Sequence, residues 1–309
     1  MECLTILLTG GTGFIGSHLA DAIISSGYKL VILKRSTSNL WRISHLKGKY
    51  KSYDLDKISI DLPFKEQNID IVIHLATVYK KYEEPTDVAD MIKGNVSFPC
   101  ELLTQAERHH VKGFINTGTY FEYDCKQQPI SEGANKNPFN FYAKTKISFE
   151  NILQFSKRNM AINNFKLFTP YGEKDNNKLV KYIIKNAIQD KDIMLSEGLQ
   201  KIDLIYVEDI VNAYIKAIRR LHKKNYKSEF EDFNIGSGVA LSLRDIVSII
   251  EEQLGRRVRV TWGQPSVGDA EVAYSCNKKA EEMLGWRVKY SVKCGIEKTI
   301  EYYRKNLDK

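Results

Sequence analysis

The segment Thr9-Gly10-Gly11-Thr12-Gly13-Phe14-Ile15-Gly16 constrains this chain more than any other. It follows the apolar run ILL and opens the amphipathic run FIGSHLADAIIS, so it stands where a first strand turns into a first helix. Gly10 can make a tight turn without a Cβ penalty. Gly13 lets the backbone approach a pyrophosphate at the helix N-terminus, and Gly16 permits close helix–strand packing. A GxxGxxG alone arises by chance in glycine-bearing loops. Its position here predicts a dinucleotide site, with Thr12, Phe14 and Ile15 in the same turn.

The pattern that follows agrees. Short apolar runs at Thr5–Leu8, Lys29–Leu33, Tyr50–Asp54, Ile71–Leu75, Phe114–Asn116 and Asn163–Leu167 alternate with helical patterns at Phe14–Ser26, Asp87–His110 and Tyr142–Asn159. Continuous apolar strands separated by crossover helices describe an α/β fold, a doubly wound parallel sheet of the Rossmann type. Beyond residue 168 the pattern is less regular. Helices are expected at Asn177–Gln189, Glu208–Arg220, Leu243–Gly255, Lys278–Leu284 and Val292–Lys305, and strands at Asp203–Tyr206, Phe233–Ile235 and Arg259–Trp262. Without a Gly/Ser linker, this predicts residues 1–168 as a dinucleotide-binding domain completed by segments near 203–235. Residues 169–202 and 236–309 then form a smaller, sequence-interleaved C-terminal substrate lobe.

The end of the second strand selects the cofactor. An NAD site places Asp or Glu there to hold the ribose hydroxyls. This chain reads KLVILK and ends in Lys34-Arg35-Ser36. Cationic and hydroxyl groups suit a ribose 2′-phosphate, which a carboxylate would repel. NADP is therefore expected, held first by Arg35; a solvated basic turn is the alternative.

Tyr142-Ala-Lys-Thr-Lys146 supplies the chemistry. Tyrosine and lysine four apart share one helix face, and a nearby ammonium favours ionisation of a phenol whose ordinary pKa is near 10. Such a pair can pass a proton to a carbonyl oxygen while hydride leaves a nicotinamide. The motif alone also fits a lysine-rich surface. Its weight comes from Asn116-Thr117-Gly118-Thr119 at the end of the preceding strand, where Thr119 can polarise the same carbonyl. Thr117 suits packing or capping equally well.

Together TGGTGFIG, His74-Leu75-Ala76, Asn95, the threonine strand end and YAKTK resemble the extended short-chain dehydrogenase/reductase family, in its NAD-dependent epimerase/dehydratase branch. DLIYVEDIVNAY at 203–214 extends the likeness over nearly the whole chain. The resemblance implies a catalytic trio of Thr119, Tyr142 and Lys146. It places Asp54, Leu55, Leu75, Ala76, Thr77, Asn95, Thr117 and Phe168 near the cofactor. Tyr79, Tyr120, Phe121, Thr169, Lys178, Lys201 and Arg259 fall near a nucleotide-sugar substrate. It also implies a homodimer paired through the helices at 87–110 and 142–159, with Leu102, Leu103, Ile147 and Leu153 available as seam or as monomer core.

Within that family, a 4,6-dehydratase needs Asp-Glu directly after the catalytic threonine, whereas Tyr120-Phe121 stand there. HLATVY at 74–79, KTKISFENI at 144–152 and FNIGSGVALSLRDIV at 233–247 are similar to 4-ketoreductases of the CDP-abequose synthase type. The resemblance thus implies NADPH-dependent reduction of the C4 carbonyl of a nucleotide-linked 4-keto-6-deoxyhexose, 3,6-dideoxy sugars included. A 4-epimerase and a non-catalytic NADP-binding protein are the alternatives. Two departures stand out: Ile202 precedes Asp203 where the family usually has arginine, and Ser266 replaces the arginine of an RPGD-like turn. Lys178, Lys201, Arg257 or Arg259 are the candidates to compensate.

The remaining features point to bland roles. Asp203 and Asp209 suit loop or cap hydrogen bonding, and His74 suits packing. Trp41 suits either an adenine contact or a loop anchor. Five scattered cysteines without a CxxC pair suit a reducing cytoplasm. No zinc-ligand spacing, signal-like segment or membrane-length apolar run is seen. The formal charge of +8 is spread along the chain rather than gathered into a nucleic-acid-binding face.

Overall fold

The structure, a computed structural model, describes residues 4–80, 84–156, 160–176, 178–222, 229–264 and 271–307. In chain order the strands are β1 (Thr5–Thr9), β2 (Lys29–Lys34), β3 (Lys51–Asp54), β4 (Ile71–His74), β5 (Gly113–Thr119), β6 (Ala161–Leu167), β7 (Thr169–Tyr171), β8 (Ile193–Met194), β9 (Lys201–Tyr206), β10 (Phe230–Ile235), β11 (Ala240–Ser242), β12 (Val260–Thr261) and β13 (Val272–Ala273). The α-helices are α1 (Phe14–Ser25), α2 (Leu62–Glu66), α3 (Pro85–Ile92), α4 (Phe98–Arg108), α5 (Phe141–Ser156), α6 (Leu179–Ile188), α7 (Val207–Leu221), α8 (Leu243–Leu254), α9 (Lys278–Leu284) and α10 (Val292–Lys305).

A seven-stranded sheet in the order β10-β6-β5-β4-β1-β2-β3 forms the centre of the first unit. The pairs β3–β2, β2–β1, β1–β4 and β4–β5 are parallel. The chain runs from β1 outward to β3 and returns to the other side of β1 as β4. Strand order thus reverses between β1 and β4, the place where open α/β sheets leave a crevice at their C-terminal ends. The doubly wound expectation is met. On one face Leu7, Val31, Val72 and Phe114 of the sheet pack with Leu102, Leu103 and Ala106 of α4 and Phe149 and Leu153 of α5. Leu102, Leu103 and Leu153 are therefore monomer core and not seam. The apolar side chains that α5 leaves exposed are Ile152 and Phe155.

Contacts divide the chain into two units. The first comprises 1–123, 136–166 and 211–233, and the second 124–135, 167–210 and 234–309. Residues 124–135, read from sequence with the first domain, and 203–210, read as completing it, group with the second unit. There β9 pairs antiparallel with β11 and parallel with β13 and β7. Short strands of two or three residues such as β7, β8, β11 and β13 lack a readable period, which is why sequence passed over them. The helix expected at Asp87–His110 starts at Pro85 and carries a π-helical turn, Lys93–Ser97, between α3 and α4. Asn177 and 157–159, at the ends of two expected helices, lie outside the described residues, as do Cys3 and Ser266. No disulfide links Cys100, Cys125, Cys276 or Cys294. Among the described residues no helix is long and apolar enough to cross a membrane.

The glycine loop is held by close approach. Gly10 has φ +70°, and a Cβ there would lie 2.7 Å from the Ala76 backbone nitrogen; a Cβ on Gly16 would meet the Gly10 carbonyl at 2.1 Å. Gly16 thus packs on the loop itself and not on the strand. Gly10→Ala is expected to destabilise the protein by about 1–3 kcal/mol, from left-handed strain plus the collision with the β4 end. Urea unfolding measures the loss.

Candidate active site

The loop that leaves β1 brings the first turn of α1 to the crevice. Its N-cap, Gly13, offers no side-chain hydrogen bond to that turn, so the amides Phe14 onward are left for an anion. The cradle fits a dinucleotide pyrophosphate. Next to it, Ala76 N–H donates to Thr9 Oγ1 at 3.2 Å and Leu75 N–H to the Thr9 carbonyl at 3.3 Å. Thr9 Oγ1 also shares a hydrogen bond of 2.9 Å with His74 Nδ1. His74 is buried among Phe98, Phe114 and Phe149. Burial, then the charge of Lys146, pushes its pKa well down, so it stays neutral.

At the end of β2 the basic triad is not uniform. Ser36 Oγ donates to Asp54 Oδ2 at 2.7 Å, Ser36 N–H donates to Asp56 at 2.7 Å, and Lys34 Nζ lies 3.5 Å from Asp54. The Ser36 hydrogen bond heads the causes that hold the Asp54 carboxyl below its ordinary value. Among the described residues, only Arg35 of the three has an exposed side chain that Asp54 does not engage. Nothing local warns of this, because Asp54 lies twenty residues beyond Lys34. Leu55 turns partly into the sheet core. Trp41 opens a 3-10 turn and lies under the guanidinium of its neighbour Arg42, 4.6 Å from the ring centroid.

α5 carries the tyrosine and lysine. Asn140 Oδ1 accepts the Ala143 N–H at 2.8 Å, a side-chain cap that fixes where the helix begins. The sequence reading did not use Asn140, although asparagine ahead of a helix is a local capping signal. Tyr142 is partly buried; its hydroxyl is hydrogen-bonded to the Thr77 side chain, and its ring meets Tyr79 edge to face at 5.0 Å. Asn95, on the π turn, organises this corner. Its Oδ1 accepts from Thr77 Oγ1 at 3.0 Å and Val78 N–H at 2.8 Å. Its Nδ2 donates to the Val78 carbonyl at 2.8 Å and Thr145 Oγ1 at 3.0 Å. One buried amide therefore pins the loop after β4 to α5.

β5 ends in Thr119, whose Oγ1 accepts the Phe121 N–H at 3.3 Å. Thr117 Oγ1 is shared with Tyr214 OH at 2.7 Å, a buried packing contact. Tyr120, Phe121 and the exposed Phe139 form an edge-to-face cluster beyond Thr119.

The sequence reading expected the ammonium to ease ionisation of Tyr142. Instead, burial dominates and pushes the phenol up to about 12, with Thr77 opposing and Glu122 and Tyr79 adding. Burial also pulls Lys146 down to about 8, with Glu122 opposing and Lys166 adding. At neutral pH the phenol therefore holds its proton firmly, and the ammonium one helical turn away holds its own less firmly than an ordinary lysine.

Sequence reasoning missed the charges underneath. Lys166 Nζ contacts the carboxylates of both Glu122 and Glu150, all three side chains fully buried, and Lys136 contacts Glu150 from the outside. Glu122 Oε1 also accepts the Thr119 N–H at 2.8 Å. Gly118 leaves the room: a Cβ there would stand 2.6 Å from that oxygen. Burial would raise the Glu150 carboxyl, but the two ammonium groups bring it down to about 2. Alternating lysine and glutamate across 136, 150, 166 and 122 has no period in sequence to betray it.

The other expected residues fall in the second unit. Phe168 is buried and donates its N–H to the Ile235 carbonyl, and Thr169 opens β7. Lys178 is the N-cap of α6 and Lys201 opens β9; both are exposed. Arg259 is engaged by Asp190 and Asp192, and Arg257 by Glu251, so these arginines start from paired positions. Asp203 and Asp209 are buried as separate caps: Asp203 accepts from Ser237, Gly238 and Ser275, and Asp209 from the Lys289 and Tyr290 amides.

The first 236 residues of this layout have a family signature. The model of the NAD dependent epimerase/dehydratase family matches residues 6–236. The chain belongs to that family. It is 28% identical to CDP-abequose synthase of Salmonella muenchen, over 96% of each chain, and 26% identical to UDP-glucose 4-epimerase of Bacillus subtilis, over 93% of each. Among solved structures, UDP-glucose 4-epimerase of Thermotoga maritima with UDP-glucose aligns at a TM-score of 0.88 and 26% identity, covering 98% of this chain and 100% of its own. UDP-glucuronic acid 4-epimerase of Bacillus cereus, in complex with UDP-glucuronic acid and NAD, has the same fold at a TM-score of 0.87, with 23% identity and coverage of 98% and 100%.

The depressed Glu150 carboxyl gives a pH dependence with a definite sign. Its stabilisation is complete above the ordinary value of 4.5 and is lost as pH falls through the window down to about 2. Denaturant midpoints recorded between pH 6 and pH 2, ordinary acid-titration limits, are expected to fall across that window. Glu150→Gln is expected to flatten the fall.

Proposed function

We propose that this family member reduces the C4 carbonyl of a nucleotide-linked 4-keto-6-deoxyhexose, using NADPH. The observation that carries the reading is a high-pKa phenol, Tyr142, one helical turn from Lys146, in a chain alike over 96% of its length to a CDP-abequose synthase. A bound nicotinamide supplies the hydride. Tyr142 gives its proton to the carbonyl oxygen as C4 becomes an alcohol, Thr119 Oγ1 hydrogen-bonds the same oxygen, and the Lys146 ammonium offsets the charge left on the phenolate. Amides of the Gly13 turn receive the pyrophosphate, and Arg35 the 2′-phosphate. Tyr79, Tyr120 and Phe121 border the sugar, while Thr169, Lys178, Lys201 and Arg259 are assigned to the rest of the nucleotide. The protein works in the cytoplasm as a homodimer, which the exposed Ile152 and Phe155 of α5 support.

A second reading, NAD-dependent 4-epimerisation, is favoured by Asp54. Its carboxylate accepts the Ser36 hydroxyl beside the β2 end, where acid suits ribose hydroxyls better than phosphate. The two readings separate on incubating purified protein with NADPH and a panel of nucleotide-linked 4-keto-6-deoxy sugars, following absorbance and product by NMR. Net NADPH consumption supports reduction, and interconversion of C4 epimers without it supports the alternative. Tyr142→Phe is expected to cut turnover by at least ~100-fold with cofactor affinity kept, because only the proton donor is removed. Arg35→Ala is expected to weaken NADPH far more than NADH in fluorescence titrations; equal losses would transfer the 2′-phosphate contact elsewhere.

A further inference from the structure

Thr145, inside YAKTK, takes no part in the reaction as proposed, yet it is buried and its hydroxyl is committed on both sides. Oγ1 donates its one hydrogen to the Tyr142 carbonyl at 2.7 Å, back along the first turn of α5, and accepts from Asn95 Nδ2 at 3.0 Å. Asn95 is buried too, and its amide allows no other arrangement. It pairs with the Val78 peptide as a neighbouring strand would: Val78 N–H donates to Oδ1 at 2.8 Å, and Nδ2 donates to the Val78 carbonyl at 2.8 Å. Flipping the amide would set N–H against N–H and oxygen against oxygen. The second lone pair of Oδ1 takes the Thr77 hydroxyl at 3.0 Å, which leaves the second Nδ2 hydrogen for Thr145. The π turn that carries Asn95 also rides close on this loop, for a Cβ on Gly94 would stand 2.4 Å from Val78 Cγ2.

We propose that Thr145 is a positioning residue that locks the loop carrying Tyr79 to the backbone of Tyr142. The bonds run from the Tyr142 carbonyl through the Thr145 hydroxyl and the Asn95 amide to the Val78 peptide. The next residue is Tyr79, and its ring closes the circuit by meeting the Tyr142 ring edge to face at 5.0 Å. Tyr79 is 54% exposed, so packing alone does not fix it; the hydrogen bonds on either side of Val78 do. The proton donor and the aromatic residue beside it are thereby held as one piece. Proton transfer needs the phenol within hydrogen-bond reach of the carbonyl, and a displacement of about 1 Å can cost about 100-fold in rate. Valine would keep the shape of Thr145 but would strand a buried Nδ2 hydrogen and free the Tyr142 carbonyl. Serine keeps both the donor and the acceptor.

Tyr142 as proton donor is taken from the proposed reduction, whereas the lock itself is read without any sugar. Hydrogen exchange at the Val78 amide, followed by NMR on the full-length protein, reports it. Thr145→Val is expected to raise that exchange rate about tenfold, and Thr145→Ser to keep it within about twofold of the unaltered protein. With NADPH and a nucleotide-linked 4-keto-6-deoxy sugar, Thr145→Val is expected to lower kcat by about 10- to 100-fold. KM for NADPH is expected to stay within about twofold, since only the placing of the donor is disturbed, and Thr145→Ser to recover most of kcat. Where Thr145→Val does not fold, Thr145→Ala, which sets no methyl group against the Asn95 amide, gives the same readings. Unchanged exchange at Val78 in the valine or alanine variant overturns the proposal. So does a lower urea midpoint with kcat intact, the mark of a stabilising role alone, or a serine variant as impaired as the valine one. A protein that reduces no sugar of the panel, yet shows the expected exchange pattern, refutes the reduction and supports the lock.

Discussion

Lys166, fully buried between Glu122 and Glu150, is the contact on which this site depends. An ammonium that deep is tolerable only when paired, and breaking such a pair by removing one partner typically costs about 3–5 kcal/mol. Here the pairing joins three elements: β6 beneath, α5 on one side and the turn after β5 on the other. α5 carries Tyr142 and Lys146, and Thr119 directly precedes and caps the turn. The electrostatic knot and the candidate chemistry therefore share a scaffold, and neither can shift without the other.

The same economy of parts holds on the cofactor side. Asn95 uses both ends of its amide to bind the loop after β4 to α5, and the π turn that carries it interrupts an otherwise long helix. Thr9 serves its strand and also receives the Ala76 amide and His74. In each case a buried polar group is satisfied by a residue far off in sequence, as low-dielectric surroundings demand. Such groups fix the crevice walls before any ligand enters.

The β2 end shows how a neighbouring strand alters the meaning of a motif. Lys34-Arg35-Ser36 reads as a basic pocket, yet Asp54 at the end of β3 engages the first and third of these side chains. β2 and β3 are adjacent parallel strands, so their C-terminal ends lie side by side and Lys34 stands in register with Asp54. Of the three, only Arg35 has a side chain that Asp54 does not engage.

Local physics was enough for much of this protein. The glycine turn, the parallel strands, the helix with YAKTK and the threonine strand end were all legible, because strand and helix periods and turn chemistry depend on near neighbours. The direction of the Tyr142 shift was not, since it reflects how much water the packed chain excludes. Nor was the Lys136, Glu150, Lys166 and Glu122 row, or the Asp54 contact with Ser36. Those arise only when elements 14 to 44 residues apart are brought side by side. Sequence determined which backbone would form and where its reactive side chains would stand; tertiary structure decided their charges, because desolvation and Coulomb interaction act through space and not along the chain.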